Sequence, residues 1–376
     1  MKKIKKPTII LVSFFPVGFD ETGGQKGTTE LLDFLISSDE NVIVFSPAIC
    51  PKYKDKISYF QMLTKNSLAK RIIVFLSSLL PFSSCLFSSR KNEKLFLKHI
   101  NCFDGNIIID HIGSAWILSA LSKLKKNLIT YSAHNDEYNQ KLYYIKSNIK
   151  PSIILHIIDL LKIRIYETKI VKSSSSIIAV SDNDIKSLAL RYGVSGKSIK
   201  IGLHYANPIY KENLYNYEIR KGIVIFGSLK TKIKIDNLFD FLNAWKDQGE
   251  LFEVTIAGTM SNDLKSKINL FSHKIKVVGF VENPRHFLQK FKLGLMFETR
   301  GTGFNVRLID YLESNTPVVF LKNSIRGISD NDGTIAACYN SLNEMIREVK
   351  DLEFDKRFLE EASDRQKHSK LWRVVN

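Results

Sequence analysis

Cysteine is scarce in this chain. Its 376 residues include only Cys50, Cys85, Cys102 and Cys338, with no paired spacing among them. A disulfide framework or a cysteine-based zinc site is therefore not expected, and a reducing compartment fits. Long apolar runs are also missing. The nearest is Ile72 to Phe87, which falls short of the roughly 20 residues of a membrane-crossing helix and is broken by Pro81. Lys70, Arg71, Arg90 and Lys91 flank it. It reads either as a core helix or as an apolar face with basic shoulders lying in a membrane interface. The N-terminal MKKIKKPTIILVSFF imitates a secretory leader, but no clear small-residue cleavage site follows, and a Gly-Gly turn comes soon after. A buried first strand, Thr8 to Phe14, is the expectation. No GxGxxG pattern is present, so a dinucleotide site has little support.

Acidic residues are under-represented. There are 38 against 55 lysines and arginines, for a formal charge of +17. Such a field attracts nucleic acid, acidic lipid or phosphorylated small molecules. It is equally the charge of ordinary solvated basic surfaces. Aromatic and basic residues do not interleave as in a nucleic-acid module, which argues against nucleic acid.

The hydrophobic fraction of 44% and charged fraction of 25% are those of a folded chain. The length implies two domains, or at most three. In the first half, strand candidates at 8–14, 41–45, 106–110, 128–132 and 177–180 alternate with helical patterns such as TTELLDFLISS and Ile153 to Lys172. The polar, tyrosine-rich HYANPIYKENLYN then breaks the rhythm and reads as a linker. Strands at 223–226, 252–257, 275–280, 293–297 and 317–321 restart it. This predicts an α/β protein of two Rossmann-like doubly wound domains facing a cleft. The expected bounds are 1–205, a linker at 206–220, 221–350, and a C-terminal helix at 351–376 packing back toward the first domain.

Ligands of open parallel sheets bind beyond the carboxyl ends of the strands. In the first half those ends carry the glycine loop with Gly23 and Gly24, then His111, then His134 with Asn135, Asp136 and Glu137. Either histidine has the chemistry of a catalytic group or of a structural one. His134 has Asp136 and Glu137 as candidate orienting partners. Ser181 reads as a helix cap. In the second half, Gly227 and Ser228 precede Lys230, Lys232 and Lys234, either a phosphate-binding loop or a solvated basic one. Glu298 to Val319 opens with Arg300, Gly301 and Gly303 before a helix expected near Asn305. Arg307 and Asp310 share a face of that helix, as an ion pair or as a phosphate and ribose pair.

The second half resembles the donor domain of GT-B glycosyltransferases, family four of the retaining enzymes. FGSL (226–229), VTIAG (254–258), VVGFVEN (277–283) and GTGFNVRLIDYLESNTPVV (301–319) carry the resemblance in order and spacing. The first half is similar more loosely, through Gly23-Gly24, the His134-Asn135-x-Glu137 pattern, IYETKIVKSSSSIIAVSDND and Asn207-Pro208. The resemblance implies glycosyl transfer from a UDP- or GDP-sugar to a glycan or lipid-linked acceptor, as in surface polysaccharide assembly. It implies no metal site and no cofactor, since the nucleotide sugar is a substrate. It implies donor contacts from Gly227, Ser228, Lys232, Arg300, Gly301, Thr302, Gly303, Phe304, Asn305, Arg307 and Asp310. It puts His134 and His111 near the chemistry, with Gly23, Gly24 and Glu137 on the acceptor side. The expected location is the cytoplasm, with peripheral contact to an anionic inner membrane face. The chain departs from the pattern at Thr302, where the family usually has its first carboxylate; Glu298 lies nearby at a different spacing. That departure leaves room for a catalytically silent accessory subunit, and the shape also suits a nucleotide-sugar epimerase.

Overall fold

The computed structural model describes residues 8–19, 22–38, 40–64, 67–100, 103, 105–121, 129–147, 153–194, 197–201, 211, 215–301, 305–324 and 336–368. Within these, the chain forms two compact units, Met1–Gly202 and Leu203–Asn376. The linker expectation at Asn207-Pro208 lies outside the described residues.

The first unit holds one parallel sheet of β1 (Thr8–Ser13), β2 (Asn41–Ser46), β3 (Ser58–Gln61), β4 (Asn106–Asp110), β5 (Ile129–Ala133), β6 (Ser176–Ala179) and β7 (Ser198–Ile201). Their order across the sheet is β3-β2-β1-β4-β5-β6-β7. Successive residues of a strand point to opposite faces, and here both faces are covered. Ile10 and Val12 of β1 join one apolar core with Ile107 and Ile109, while Ile9 and Leu11 join another with Ile108. That is why the strands read as unbroken apolar runs.

The second unit repeats the plan with β8 (Ile223–Phe226), β9 (Val254–Ala257), β10 (Ile275–Gly279), β11 (Leu293–Met296), β12 (Val318–Leu321) and β13 (Ala337–Tyr339), in the order β10-β9-β8-β11-β12-β13. Both orders run outward from a central pair and reverse direction there. The reversal lies between β1 and β4 in one sheet and between β8 and β11 in the other. Helices leave to opposite faces at such a point, which opens a crevice at the strand ends. The outer strands β3, β7 and β13 carry too weak an apolar pattern to be anticipated from sequence.

The segment Ile72–Phe87 divides between core and surface. Phe75, Cys85 and Phe87 are buried, whereas Ile73 is 64% exposed, and Leu76 and Leu79 are also exposed. Lys162 of the helix Ile153–Ser173 caps the end of the helix Leu68–Ser77 through the carbonyls of Phe75 and Ser78. Ile154, Ile157, Leu161 and Ile165 line an exposed stripe on the capping helix. Among the described residues no helix is long and apolar enough to cross a membrane.

Near the C-terminus, the helix Lys356–Gln366 buries one side in the second unit's core. In Lys356–Gln366, Leu359 and Ala362 are fully buried and Leu359 joins the second core. Gln366 Nε2 donates to the Thr316 carbonyl at 3.1 Å. The helix has one apolar stripe, and the second sheet supplies the surface that covers it.

A buried arginine closes the second unit below its sheet. Arg220, 2% exposed, donates to the carbonyls of Ser314 and Asn315 and to Thr316 Oγ1, each at 3.1 Å. These are orphan acceptors past the end of the helix Arg307–Glu313, where a cation also suits the helix dipole. Burial pushes the Arg220 pKa down to about 10, against the opposing effect of Tyr215, so the group is charged at neutral pH. Removing it strands buried carbonyls. Arg220→Ala is expected to destabilise the protein by about 2–4 kcal/mol in chemical denaturation.

Candidate functional site

At the crevice of the first sheet, Asp110 ends β4 with no exposed surface. One carboxylate oxygen accepts from Thr28 Oγ1 at 2.6 Å and from Ser13 Oγ at 3.1 Å; the other contacts His134 Nε2 at 2.5 Å. One side chain thus ties the ends of β1, β4 and β5 to the helix Gly23–Ser37. Burial alone would raise the Asp110 pKa, but the charge and hydrogen bond of His134, with hydrogen bonds from Thr28 and Ser132, hold it below its ordinary value. Burial alone would lower the His134 pKa, but Asp110, by charge and hydrogen bond, and the Glu137 charge raise it above 6.5. His134 Nδ1 has no hydrogen-bond partner among the described residues.

His111, one residue after β4, adopts a left-handed backbone with φ of 68°. Such a conformation costs a side-chain-bearing residue on the order of 1 kcal/mol. Two bonds hold it there: its N–H donates to the Ser132 carbonyl at 2.9 Å, and Gly113 N–H donates to Nδ1 at 2.9 Å. Because Nδ1 accepts, the proton sits on Nε2, which meets Glu137 Oε1 at 2.9 Å. Both ring nitrogens of His111 are therefore engaged. Burial would raise the Glu137 pKa, but His111, Asn135 and His134 together hold it low.

The histidine rings lie 6.0 Å apart, so the two expected catalytic residues do come together. Their orienting partners differ from the sequence expectation. His134 is held by Asp110, whereas Glu137 holds His111 and Asp136 is taken up by Asn139, Ser187 and Arg191. Residues adjacent in sequence point apart here because Glu137 begins a helix that turns its side chain toward the neighbouring strand end.

Gly23 and Gly24 are likewise not in a loop. They open the helix Gly23–Ser37, capped by Thr22, whose side chain accepts from Gln25 N–H. A side chain at Gly24 would meet the Phe15 ring at 2.4 Å. Phe15 in turn stands 5.2 Å from His111 and 5.3 Å from His134, ring to ring. Gly24 thus sets an aromatic wall beside the histidines. Ser181 caps its helix by accepting from Asp184 N–H at 3.1 Å.

The second crevice is built on glycine and arginine. Gly227 follows β8 with φ of 140°, and any β-carbon there would stand 2.2 Å from Arg307 Cδ. A β-carbon at Gly258, after β9, would stand 2.0 Å from the Gly227 carbonyl oxygen. The Arg307 guanidinium fills the resulting space. It donates to the Phe226 carbonyl at 2.9 Å and to Asn305 Oδ1 at 3.1 Å, and pairs with Glu298. Asn305 Nδ2 reaches the second Glu298 oxygen at 3.3 Å. Glu298, the carboxylate nearest in sequence to the departure at Thr302, is the counter-ion of Arg307. A guanidinium this deep needs one.

Other expected residues fall around this core. Ser228 and Asp310 are half-buried, Gly301 is exposed, and Lys232 is a surface lysine paired with Asp236 at 2.9 Å. Arg300 pairs with Asp240 at 2.9 Å. Thr302, Gly303 and Phe304 lie outside the described residues. Sequence reading missed Asn237, which is buried. Its Oδ1 accepts from Thr299 N–H, Thr299 Oγ1 and Arg300 N–H, and its Nδ2 donates to the Arg300 carbonyl, all within 3.2 Å. It stitches the loop after β11 to the helix Lys232–Asp247. Asp110 was missed too. Its place at the end of NIIID, beside the switch point, was the available signal.

Residues 220–353 match the profile of the family described as Glycosyl transferases group 1. Among solved structures, the chain is similar to a glycosyltransferase from Rickettsia africae ESF-5, with 17% identity, 97% of this chain and 93% of that one covered, and a TM-score of 0.63. It is similar to WaaG, a glycosyltransferase involved in lipopolysaccharide biosynthesis, with 12% identity, coverage of 96% and 94%, and a TM-score of 0.64. It is also similar to Anabaena HepE in complex with UDP-glucose, with 10% identity, coverage of 96% and 94%, and a TM-score of 0.64. No curated protein matches it in sequence. The fold is GT-B, and within the second unit it is residues 220–353 that resemble the group 1 glycosyl transferases.

Protonated His134 contributes stability that is full below pH 6.5 and lost as pH rises through its raised value; ionised Asp110 contributes stability present above pH 3.8 and lost as pH falls through its lowered one. In Asp110→Asn the burial effect is left unopposed by that carboxylate. An NMR titration is expected to put the His134 pKa above 6.5 in the native chain and clearly lower in the variant.

Proposed function

We propose that the chain transfers a sugar from a UDP- or GDP-sugar to a glycan or lipid-linked acceptor. The observation that carries the reading is the Arg307 guanidinium, locked against Gly227 at the reversal point of a sheet whose residues 220–353 match group 1 glycosyl transferases. HepE, solved with UDP-glucose, has the same fold.

Breaking a glycosyl–phosphate bond builds negative charge on the leaving diphosphate, while the sugar becomes oxocarbenium-like. Fixed donors at the place where charge develops stabilise it without reorganising. Arg307 is such a donor, and its neighbours hold its geometry before any ligand arrives. The amides around Gly227, Ser228 and Gly301 would approach the diphosphate, and Asp310 the ribose. Thr302, Gly303, Phe304, Asn305, Lys232 and Arg300 complete the proposed donor set. In the first unit, His134 with its open Nδ1 is the better of the two histidines for a reacting oxygen. Asp110 favours the protonated form of His134, in which Nδ1 presents an N–H donor there. His111 serves by holding Glu137. Gly23 and Gly24 belong to the acceptor side, where Gly24 leaves room for Phe15.

Thermal-shift and transfer assays with UDP, GDP, CMP and their sugars test the reading. Stabilisation by UDP or GDP and transfer from the matching sugar are expected; failure of all of them would sink it. Arg307→Lys keeps the charge but loses the planar fork, and kcat/KM should fall about 10²-fold. An accessory protein would retain its biological role in that variant.

The acceptor reading is supported by the exposed apolar faces of Leu68–Ser77 and Ile153–Ser173 beside exposed Lys70 and Arg164, in a chain of charge +17. This is the chemistry of contact with an anionic membrane. Sedimentation with anionic but not zwitterionic vesicles is expected. The double change Ile73→Asp and Leu76→Asp should reduce the bound fraction severalfold.

A further inference from the structure

A buried tyrosine holds the place where the strands of the second sheet part. β8 pairs with β9 as far as Phe226 opposite Ala257, but its pairing with β11 covers only Ile223 and Val224, opposite Leu293 and Gly294. Ile225 and Phe226 therefore have no partner residue in β11. Backbone groups two residues apart on a strand face the same side. The N–H and C=O of Phe226 thus face the gap where β8 and β11 diverge.

The Tyr311 hydroxyl fills that gap. It accepts from the Phe226 N–H at 3.0 Å and donates to the Val224 carbonyl at 3.3 Å. The ring reaches this place across Gly294, where a β-carbon would stand 2.4 Å from Tyr311 Cε1. Tyr311 has no exposed surface. Burial raises its pKa against the charge of Arg307, so the hydroxyl keeps its proton and can donate. A side chain that only filled space could be phenylalanine. The hydroxyl is what the buried Phe226 N–H, lacking a strand partner, requires.

Arg307 stands one turn before Tyr311, at the spacing that puts both on one face of the helix Arg307–Glu313. Arg307 takes the other half of the same residue, donating to the Phe226 carbonyl at 2.9 Å. Phe226 is gripped at its N–H by Tyr311 and at its C=O by Arg307, and the next residue, Gly227, lies against the Arg307 stem. We propose that Tyr311 is a positioning residue for the donor site. Its hydroxyl fixes where β8 ends, and with it the Arg307 guanidinium and the amides of Gly227 and Ser228. The part this plays in sugar transfer rests on the glycosyl-transfer reading; the hold on Arg307 does not.

Catalysis gives such a bracket its use. A fixed cation stabilises developing charge best when its geometry is set before the reaction starts. The three guanidinium nitrogens of Arg307 have three acceptors: Asn305 at Nε, the Phe226 carbonyl at Nη1 and Glu298 at Nη2. Asn305 and Glu298 belong to the segment between β11 and the helix, whereas Phe226 belongs to β8. The Phe226 carbonyl therefore ties the guanidinium to the sheet. Without the Tyr311 hydroxyl the Phe226 N–H must shift to find a partner, and the carbonyl moves with it.

The test compares the native full chain with Tyr311→Phe, which removes only the hydroxyl, and Gly294→Ala, which pushes the ring from the other side. Amide hydrogen exchange and ¹⁵N spectra of the arginine side chains need no ligand. In the native chain the Phe226 amide is expected to be as protected as the amides of the β8–β9 ladder. In Tyr311→Phe it should exchange about tenfold faster relative to them. The Arg307 Nε resonance, identified by its loss in Arg307→Lys, should move in both variants. In transfer from the UDP- or GDP-sugar that the native chain uses, kcat should fall about tenfold while the donor KM changes less than about twofold. If Tyr311→Phe does not fold, Gly294→Ala is read in its place. An unprotected Phe226 amide in the native chain overturns the proposal whatever the variants do. So does an Arg307 resonance or a kcat that stays unchanged in the folded variant. A moved Arg307 resonance in a chain whose native form turns over no nucleotide sugar would leave Tyr311 as the residue that positions Arg307 and count against the donor reading alone.

Discussion

All strands in each sheet run parallel, so all their carboxyl ends emerge along one edge. That constraint underlies the rest of the molecule. Where strand order reverses, the helices leave to opposite faces and cannot cover the edge. Polar backbone and side chains exposed there must satisfy one another or a ligand. The first unit meets this need with Asp110, which gathers Ser13, Thr28 and His134. The second meets it with Arg307, which gathers Phe226, Asn305 and Glu298.

The two solutions are opposite in charge and in use. In the first unit a buried carboxylate raises the pKa of a histidine and leaves one ring nitrogen available. In the second, a buried carboxylate neutralises an arginine whose approach depends on glycines without side chains. The first suits a donor to a neutral hydroxyl oxygen, the second a site where negative charge develops. Neither is a surface ion pair of small consequence, because desolvation makes each partner costly to leave alone. His111 adds a third pairing, with Glu137.

Much of this was legible beforehand. The apolar runs and their helical intervals placed the central strands to within a residue or two, and the two-sheet plan followed from their alternation. The strand ends carrying His111, His134 and Gly227 were readable because parallel topology says where to look. Glu298 to Val319 was legible as a site but not in its internal roles. The outer strands β3, β7 and β13 were not legible, since they are short and carry too few consecutive apolar residues to stand out in the sequence. The pairing of His134 was misread because Asp136 and Glu137 are its neighbours in sequence, while Asp110 is its neighbour in space.

The sequence by itself determined the periodicity, and with it the fold class, the candidate strand ends and the family resemblance. These depend on local patterns of burial, which are written residue by residue. Tertiary structure alone decided which acid faces which base, that Glu298 serves Arg307, and that Asn237 ties down the loop after β11. Most such pairings join residues far apart in sequence, through a strand order that no local pattern encodes.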